Sequence, residues 1–147
     1  MTDVSNTYST TQSTPLTSGS GKHRALIIDD DPSIRRSLEL HLIDEGFEVL
    51  IAQDGEQGVK TALNQEVDFV LLDLRLPKLD GFEVLEQIKA QKPSLPVVVI
   101  TAFDDMQTAI KAIRLGAIDH LGKPLDLDQL DEVIVKIQQI ADLSEKG

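Results

Sequence analysis

The sequence predicts an open α/β domain in which five parallel strands alternate with five helices, and three observations carry that prediction. Short apolar runs recur at Ala25–Ile28, Phe69–Leu72, Val97–Ile100 and Ile118–Leu121. The spacers between them have helical periodicity, which makes the runs parallel strands of one sheet. Each run also leads into reactive polar residues: Asp29, Asp30 and Asp31 after the first, Asp73 after the second, Thr101 after the third, Lys123-Pro124 after the fourth. Open α/β sheets bind ligands outside the carboxyl ends of their strands. Acidic side chains, a hydroxyl and an ammonium should therefore converge on one site, a set able to hold a divalent metal and to carry a phosphoryl group on Asp73.

The elements follow in order. Residues 1–22 are rich in Ser and Thr and have no usable period, so they are read as a disordered tail or linker. Ala25–Asp29 is a strand buried on both faces. Pro32 or Ser33 opens a helix with Ile34, Leu38 and Leu42 on one stripe, ended by Gly46. Phe47–Ala52 is a second strand. Asp54 caps a helix that buries Val59, Ala62 and Leu63 and is weakened by Gly58. Val67–Asp73 is the third strand, followed by a loop into a helix carrying Phe82, Leu85 and Ile88. Pro93 and Pro96 bracket a turn before a fourth strand, Leu95–Ile100. Met106, Ala109, Ile110 and Ile113 form the next helical stripe, closed by Gly116. Ile118–Leu121 is the fifth strand, and Leu127, Leu130, Ile134, Ile137 and Ala141 mark the last helix. The periodicity leaves the strand order open.

Composition narrows the function classes. At 147 residues the chain can form one domain with a sizeable core. No apolar run reaches membrane-spanning length, and the N-terminus lacks the basic and apolar regions of a signal peptide. The absence of cysteine excludes disulfides and thiol chemistry. The formal net charge of −11 lies in the folded part, since Asp3 and Lys22 cancel in the tail, and it argues against nonspecific nucleic-acid binding. A cytoplasmic setting is expected.

Each candidate residue has a chemical reading and a plainer one. Adjacent carboxylates at Asp29 and Asp30 repel and call for a cation, and Mg²⁺ suits hard oxygen ligands. Acidic residues also favour helix starts, and Asp31 before Pro32 reads as such a cap. Asp73 could be a nucleophile toward phosphorus or a turn residue. The Thr101 hydroxyl could donate to a phosphoryl oxygen, although a β-branched residue is ordinary in a strand. Lys123 supplies a point charge for phosphate, aimed if the Pro124 bond is cis, or it is a solvent lysine. His23, His41 and His120 are too scattered to form a metal set.

Together these residues resemble the receiver domain of two-component response regulators. The motifs are Ile27-Ile28-Asp29-Asp30-Asp31, Leu71-Leu72-Asp73-Leu74-Arg75-Leu76-Pro77, Asp80-Gly81, Ile100-Thr101-Ala102 and Lys123-Pro124. They occur in order with the family's spacing, over about Arg24 to Ile140. Gly116 to Leu130 looks most like receivers of the nitrogen-regulatory, sigma-54 activator class, whose AAA+ and DNA-binding domains are absent here. The resemblance implies a receiver over 23–147 with a flavodoxin-like, doubly wound sheet of order 2-1-3-4-5. It implies that Asp73 is the phosphoacceptor, and that Asp30, Asp73 and the backbone carbonyl of Arg75 bind Mg²⁺ directly while Asp29 acts through water. Lys123 would pair with the phosphoryl group and Thr101 would follow it on activation. His120 falls at the family's switch position, where Tyr or Phe is commoner.

The same resemblance implies the partners. A sensor histidine kinase or His phosphotransferase would dock on Ile34, Pro124 and Leu125, and a downstream protein target would read the switched surface. A homodimer would form through the fourth and fifth helices, and no nucleic-acid or membrane partner is expected. Such a domain is not an enzyme in the usual sense but promotes its own phosphorylation and dephosphorylation. Arg75 and Phe103 are placed at the site's rim, where they would shield the phosphoryl from water. Three rivals share parts of this pattern. A pure interaction module of the same fold is disfavoured by intact Asp30, Asp73, Thr101 and Lys123. A haloacid-dehalogenase-like phosphatase would want an acid where Arg75 stands. A flavin carrier would need a phosphate-cradling loop after the first strand.

Overall fold

Ten elements alternate without exception: β1 (Arg24–Ile28), α1 (Pro32–Asp44), β2 (Glu48–Ala52), α2 (Gly55–Asn64), β3 (Phe69–Asp73), α3 (Gly81–Gln91), β4 (Val97–Ala102), α4 (Met106–Arg114), β5 (Asp119–Lys123) and α5 (Leu127–Lys146). They come from a computed structural model that describes residues 23–146 apart from 77–78 and 103–104, with side chains through residue 140. The tail at 1–22, Pro77, Phe103 and the Ala141 side chain lie outside the described residues. The strands form one parallel sheet in the order β2-β1-β3-β4-β5, so the expected doubly wound topology is present.

Successive strand residues face opposite sides of a sheet, and the core divides accordingly. Leu26, Ile28, Val70, Leu72, Val97 and Val99 face α2, α3 and α4. Ala25, Ile27, Phe69, Leu71, Val98 and Ile100 face α1 and α5, whose Leu38, Leu42, Leu130, Val133, Ile134 and Ile137 close that layer. Both faces being covered explains why β1, β3 and β4 read as continuous apolar runs rather than alternating ones.

Aspartates start the helices. Asp31, Asp54, Asp80 and Asp105 are the N-caps of α1, α2, α3 and α4, each accepting a backbone N–H from the first turn. Asp126 does the same for α5, accepting from Asp128 and Gln129. Such a cap contributes about 1 kcal/mol. Part of the chain's excess acid thus serves to begin helices. Gly46, at φ +96, follows the end of α1 in a conformation that side-chain-bearing residues rarely adopt.

Three details differ from the sequence expectation. Strand limits shift: β4 and β5 extend through Thr101–Ala102 and Gly122–Lys123, which pair with one another. Hydrophobicity marks where a strand is buried, whereas the hydrogen-bonded ladder runs on into polar residues. Gly58 is no weak point of α2: a Cβ there would stand 2.6 Å from Ile28 Cδ1, so the glycine is what lets the helix approach β1. In α4 the buried residues are Ala109 and Ala112, while Met106, Ile110 and Ile113 are 55%, 47% and 43% exposed. The helix meets the sheet through its small residues. The stripe of Met106, Ile110 and Ile113 therefore points outward.

Candidate functional site

The carboxyl ends of β1, β3, β4 and β5 bring the expected side chains together. Asp29 directly follows β1 and is fully buried. Its Oδ1 accepts from the Asp31 N–H at 2.9 Å, and its main-chain oxygen accepts from Arg35 Nη1 at 3.0 Å, which holds the β1–α1 turn against α1. Its Oδ2 is buried and has no hydrogen-bond partner among the described residues. Burial first, and the nearby Asp73 charge second, push the Asp29 carboxyl up to about 6, against the pull of the Asp31 N–H. Asp30 is exposed. Asp31 turns away to cap α1, accepting from the Ser33 and Ile34 N–H groups, so the plainer reading holds for it.

Asp73 ends β3 and is 2% exposed. Its Oδ1 accepts from the Arg75 N–H at 2.9 Å, and its Oδ2 lies 3.2 Å from Lys123 Nζ. Lys123 reaches this point from the last residue of β5, and the Lys123-Pro124 bond is cis, as the sequence suggested. Oxygens of Asp29, Asp30 and Asp73 lie within 4.8 Å of one another. Three hard oxygen donors at that spacing, one of them with an unpartnered buried oxygen, fit a small divalent cation such as Mg²⁺.

The remaining residues surround this centre. Thr101 is 5% exposed on β4, and its hydroxyl donates to the Ala102 carbonyl at 3.2 Å rather than to a carboxylate. His120 on β5 is partly exposed, with its backbone N–H donating to Asp119 Oδ1 at 2.8 Å and its ring Nδ1 3.8 Å from the same oxygen. Thr101 and His120 both line a groove of about 1000 Å³ between α4 and α5, together with Met106, Asp119, Glu132 and Lys136. The side-chain and backbone hydrogen bonds from Thr108 hold the Asp105 carboxyl below the usual range, with a smaller contribution from the exposed Arg75 charge. Ile34 and Leu125 lie partly buried against the α1–α5 layer, and Pro124, next to Leu125 in the chain, is exposed.

Two features escaped the sequence. The outward stripe of α4 is one. The other is at His41: the three histidines are indeed apart, but His41 meets Glu45 and Asp131 at the far end of α1. The i,i+4 spacing of His41 and Glu45 was visible, whereas the approach of Asp131 needed the packing of α5.

Comparison with known proteins agrees with this geometry. The chain matches the family described as response regulator receiver domain over residues 25–135. Regulatory protein AtoC of Escherichia coli (strain K12) is 32% identical over 124 residues, covering 84% of this chain and 27% of its own. Transcriptional regulatory protein ZraR of Salmonella typhimurium is 38% identical over 116 residues, covering 79% of this chain and 26% of its own. The chain thus spans about a quarter of the length of these curated relatives. Among solved structures, the receiver domain of NtrX from Brucella abortus superposes with a TM-score of 0.75 at 36% identity, covering 78% of this chain and 98% of that one. A CheY-like receiver from Methanospirillum hungatei JF-1 gives 0.76 at 28% identity, covering 86% and 99%.

Proposed function

The chain belongs to the response regulator receiver domain family, and from that premise we propose that Asp73 is its phosphoacceptor, fed by the phosphohistidine of a sensor kinase or His phosphotransferase. Receiver domains interact with histidine kinases and with downstream targets. The observation that carries the assignment is the buried Asp73 carboxylate held between Lys123 and the Asp29–Asp30 pair.

Transfer makes a bond from an Asp73 oxygen to phosphorus and breaks the bond from phosphorus to the donor nitrogen, the imidazole leaving. Negative charge gathers around phosphorus as this happens. The chain's part is positioning and electrostatics. The Arg75 N–H fixes Oδ1, which orients the carboxylate, and Lys123 offsets charge on the phosphoryl oxygens. Asp29, Asp30, Asp73 and the Arg75 carbonyl are the residues we assign to Mg²⁺, with Asp29 acting largely through water. When bound, the ion would neutralise carboxylate repulsion and phosphoryl charge.

Thr101 and His120 are the proposed switch. A phosphoryl on Asp73 offers new acceptor oxygens to the Thr101 hydroxyl. Reorienting that hydroxyl away from Ala102 frees space along the groove it shares with His120. The groove and the exposed Met106, Ile110 and Ile113 are the surface whose equilibrium this would bias. We assign to that surface both a protein target and a homodimer through α4 and α5. Ile34, Pro124 and Leu125 are the proposed kinase-docking residues. No helix among the described residues is long and apolar enough to cross a membrane, and a cytoplasmic domain of 23–147 following a tail at 1–22 suits exchange with a kinase.

The test is Mg²⁺-dependent labelling with acetyl phosphate or phosphoramidate, read by intact mass. One labile phosphoryl is expected in the wild type and none in Asp73→Asn. Persistent incorporation in the variant, or none in the wild type with any donor, overturns the assignment. The second outcome would favour a pure interaction module.

A further inference from the structure

We propose that His41, Glu45 and Asp131 form a second cation site, selective for a borderline divalent metal such as Zn²⁺, that clamps α1 to α5. His41 Nε2 lies 2.7 Å from Asp131 Oδ1 and 3.9 Å from Glu45 Oε2. One oxygen of each carboxylate and the ring nitrogen all fall within 4.8 Å of one another. Zn²⁺ with ligands at about 2.0–2.2 Å in a tetrahedron sets ligand–ligand separations of roughly 3.3–3.5 Å. The two observed distances bracket that span, so small side-chain rotations suffice.

The surroundings favour a cation on independent grounds. Two carboxylates crowd a single imidazole, so negative charge exceeds positive whatever the ring's protonation. Asp44 adds a further acid next to Glu45. Glu45 is the C-cap residue of α1, at the negative end of the helix dipole. The ligand chemistry separates this site from the one at Asp73. Imidazole nitrogen suits Zn²⁺ and its neighbours in the transition series, whereas Mg²⁺ prefers oxygen alone. The side chains are 20%, 35% and 39% exposed, which leaves a face open for water as a fourth ligand. Ten residues of helix separate His41 from Asp31, about 15 Å along the axis, so the two sites are distinct. A bound metal would tie the helix that carries Ile34 to the helix that lines the groove, across a junction of 90 residues in sequence.

The experiment titrates Zn²⁺ into the metal-stripped full chain by calorimetry, in saturating Mg²⁺ so that the Asp29–Asp30–Asp73 group is engaged. One equivalent should bind to the wild type and raise its Tm. His41→Gln should weaken binding by at least about tenfold and lose the Tm rise. Asp131→Asn should do the same while keeping a hydrogen-bond acceptor for the ring, which guards against a folding defect in the first variant. His23→Gln, whose ring lies 3.4 Å from Asp68, should bind as the wild type does. Absence of Zn²⁺ binding in the wild type, or equal binding in His41→Gln or Asp131→Asn, overturns the proposal.

Discussion

Lys123 Nζ stands 3.2 Å from Asp73 Oδ2, across 50 residues of sequence and with β4 lying between their strands. The sheet order brings the two residues together, while the Arg75 N–H orients the Asp73 carboxylate locally. An ammonium beside a 2% exposed carboxylate is placed to meet the charge that arrives with a phosphoryl group. Removing one such preorganised partner typically costs about 10²–10³ in rate. Lys123→Ala should therefore slow labelling by acetyl phosphate by about a hundredfold while leaving the fold intact. Labelling within a factor of two of the wild type would remove Lys123 from the mechanism.

The Asp29–Asp30–Asp73 group should govern Mg²⁺ affinity. Loss of an outer partner of a metal site costs about 10–100-fold, so loss of direct ligands should cost at least that. Mg²⁺ titration of Asp29→Ala/Asp30→Ala, followed by calorimetry, should show affinity reduced by that factor. An unchanged value would place the ion elsewhere.

Stability of the metal-free protein should depend on pH through Asp29. Its folded pKa is raised from 3.8 to about 6, mainly by burial. Between those values the folded state holds more protons than the unfolded one, so stability falls as pH rises from about 4 to about 6 and is flat above. At about 1.4 kcal/mol per pH unit the loss is on the order of 2–3 kcal/mol. Urea unfolding in EDTA should show this slope in the wild type but not in Asp29→Asn, which cannot titrate. Mg²⁺ should restore more stability at pH 8 than at pH 5. Equal slopes in both proteins would mean that Asp29 is not the group responsible.

Ile34 should separate docking from chemistry. It is partly buried against the α1–α5 layer, as Leu125 is, and its aliphatic side chain makes no hydrogen bond or ion pair with the Asp73 group. Ile34→Ala should slow transfer from a cognate kinase by about tenfold, a loss of about 1.4 kcal/mol in binding, and leave acetyl phosphate labelling unchanged. Equal losses with both donors would indicate a disturbed fold instead.

Gly58→Ala reverses a helix-propensity expectation. Alanine is favoured over glycine in a helix by about 1 kcal/mol, which alone predicts stabilisation. The added Cβ would meet three atoms of the fully buried Ile28 at 2.6–2.9 Å. Overpacking of this kind costs about 1–3 kcal/mol, so a net loss is expected in thermal or urea unfolding. A more stable variant would show that Ile28 can yield.

Alternating apolar runs and helical spacers were enough to foresee a parallel sheet covered on both faces. The run ends at Asp29, Asp73 and Thr101 pointed to the site because parallel strands deliver their carboxyl ends to one side. Asp31 and Asp54 were legible as caps because a cap is a contact within a few residues. What needed tertiary structure was every feature that depends on which neighbour an element finds. The sequence marked α4 as amphipathic, but its buried face is Ala109 and Ala112 while Met106, Ile110 and Ile113 stay exposed, and which face meets the sheet is settled only by packing. Gly58 looked like a weak helix residue until Ile28 was seen against it. His41 looked isolated until α5 brought Asp131 to within 2.7 Å. Local periodicity is set by bonds a few residues apart and can be read along the chain, whereas these contacts join residues up to 90 positions apart and exist only once the sheet has ordered its strands.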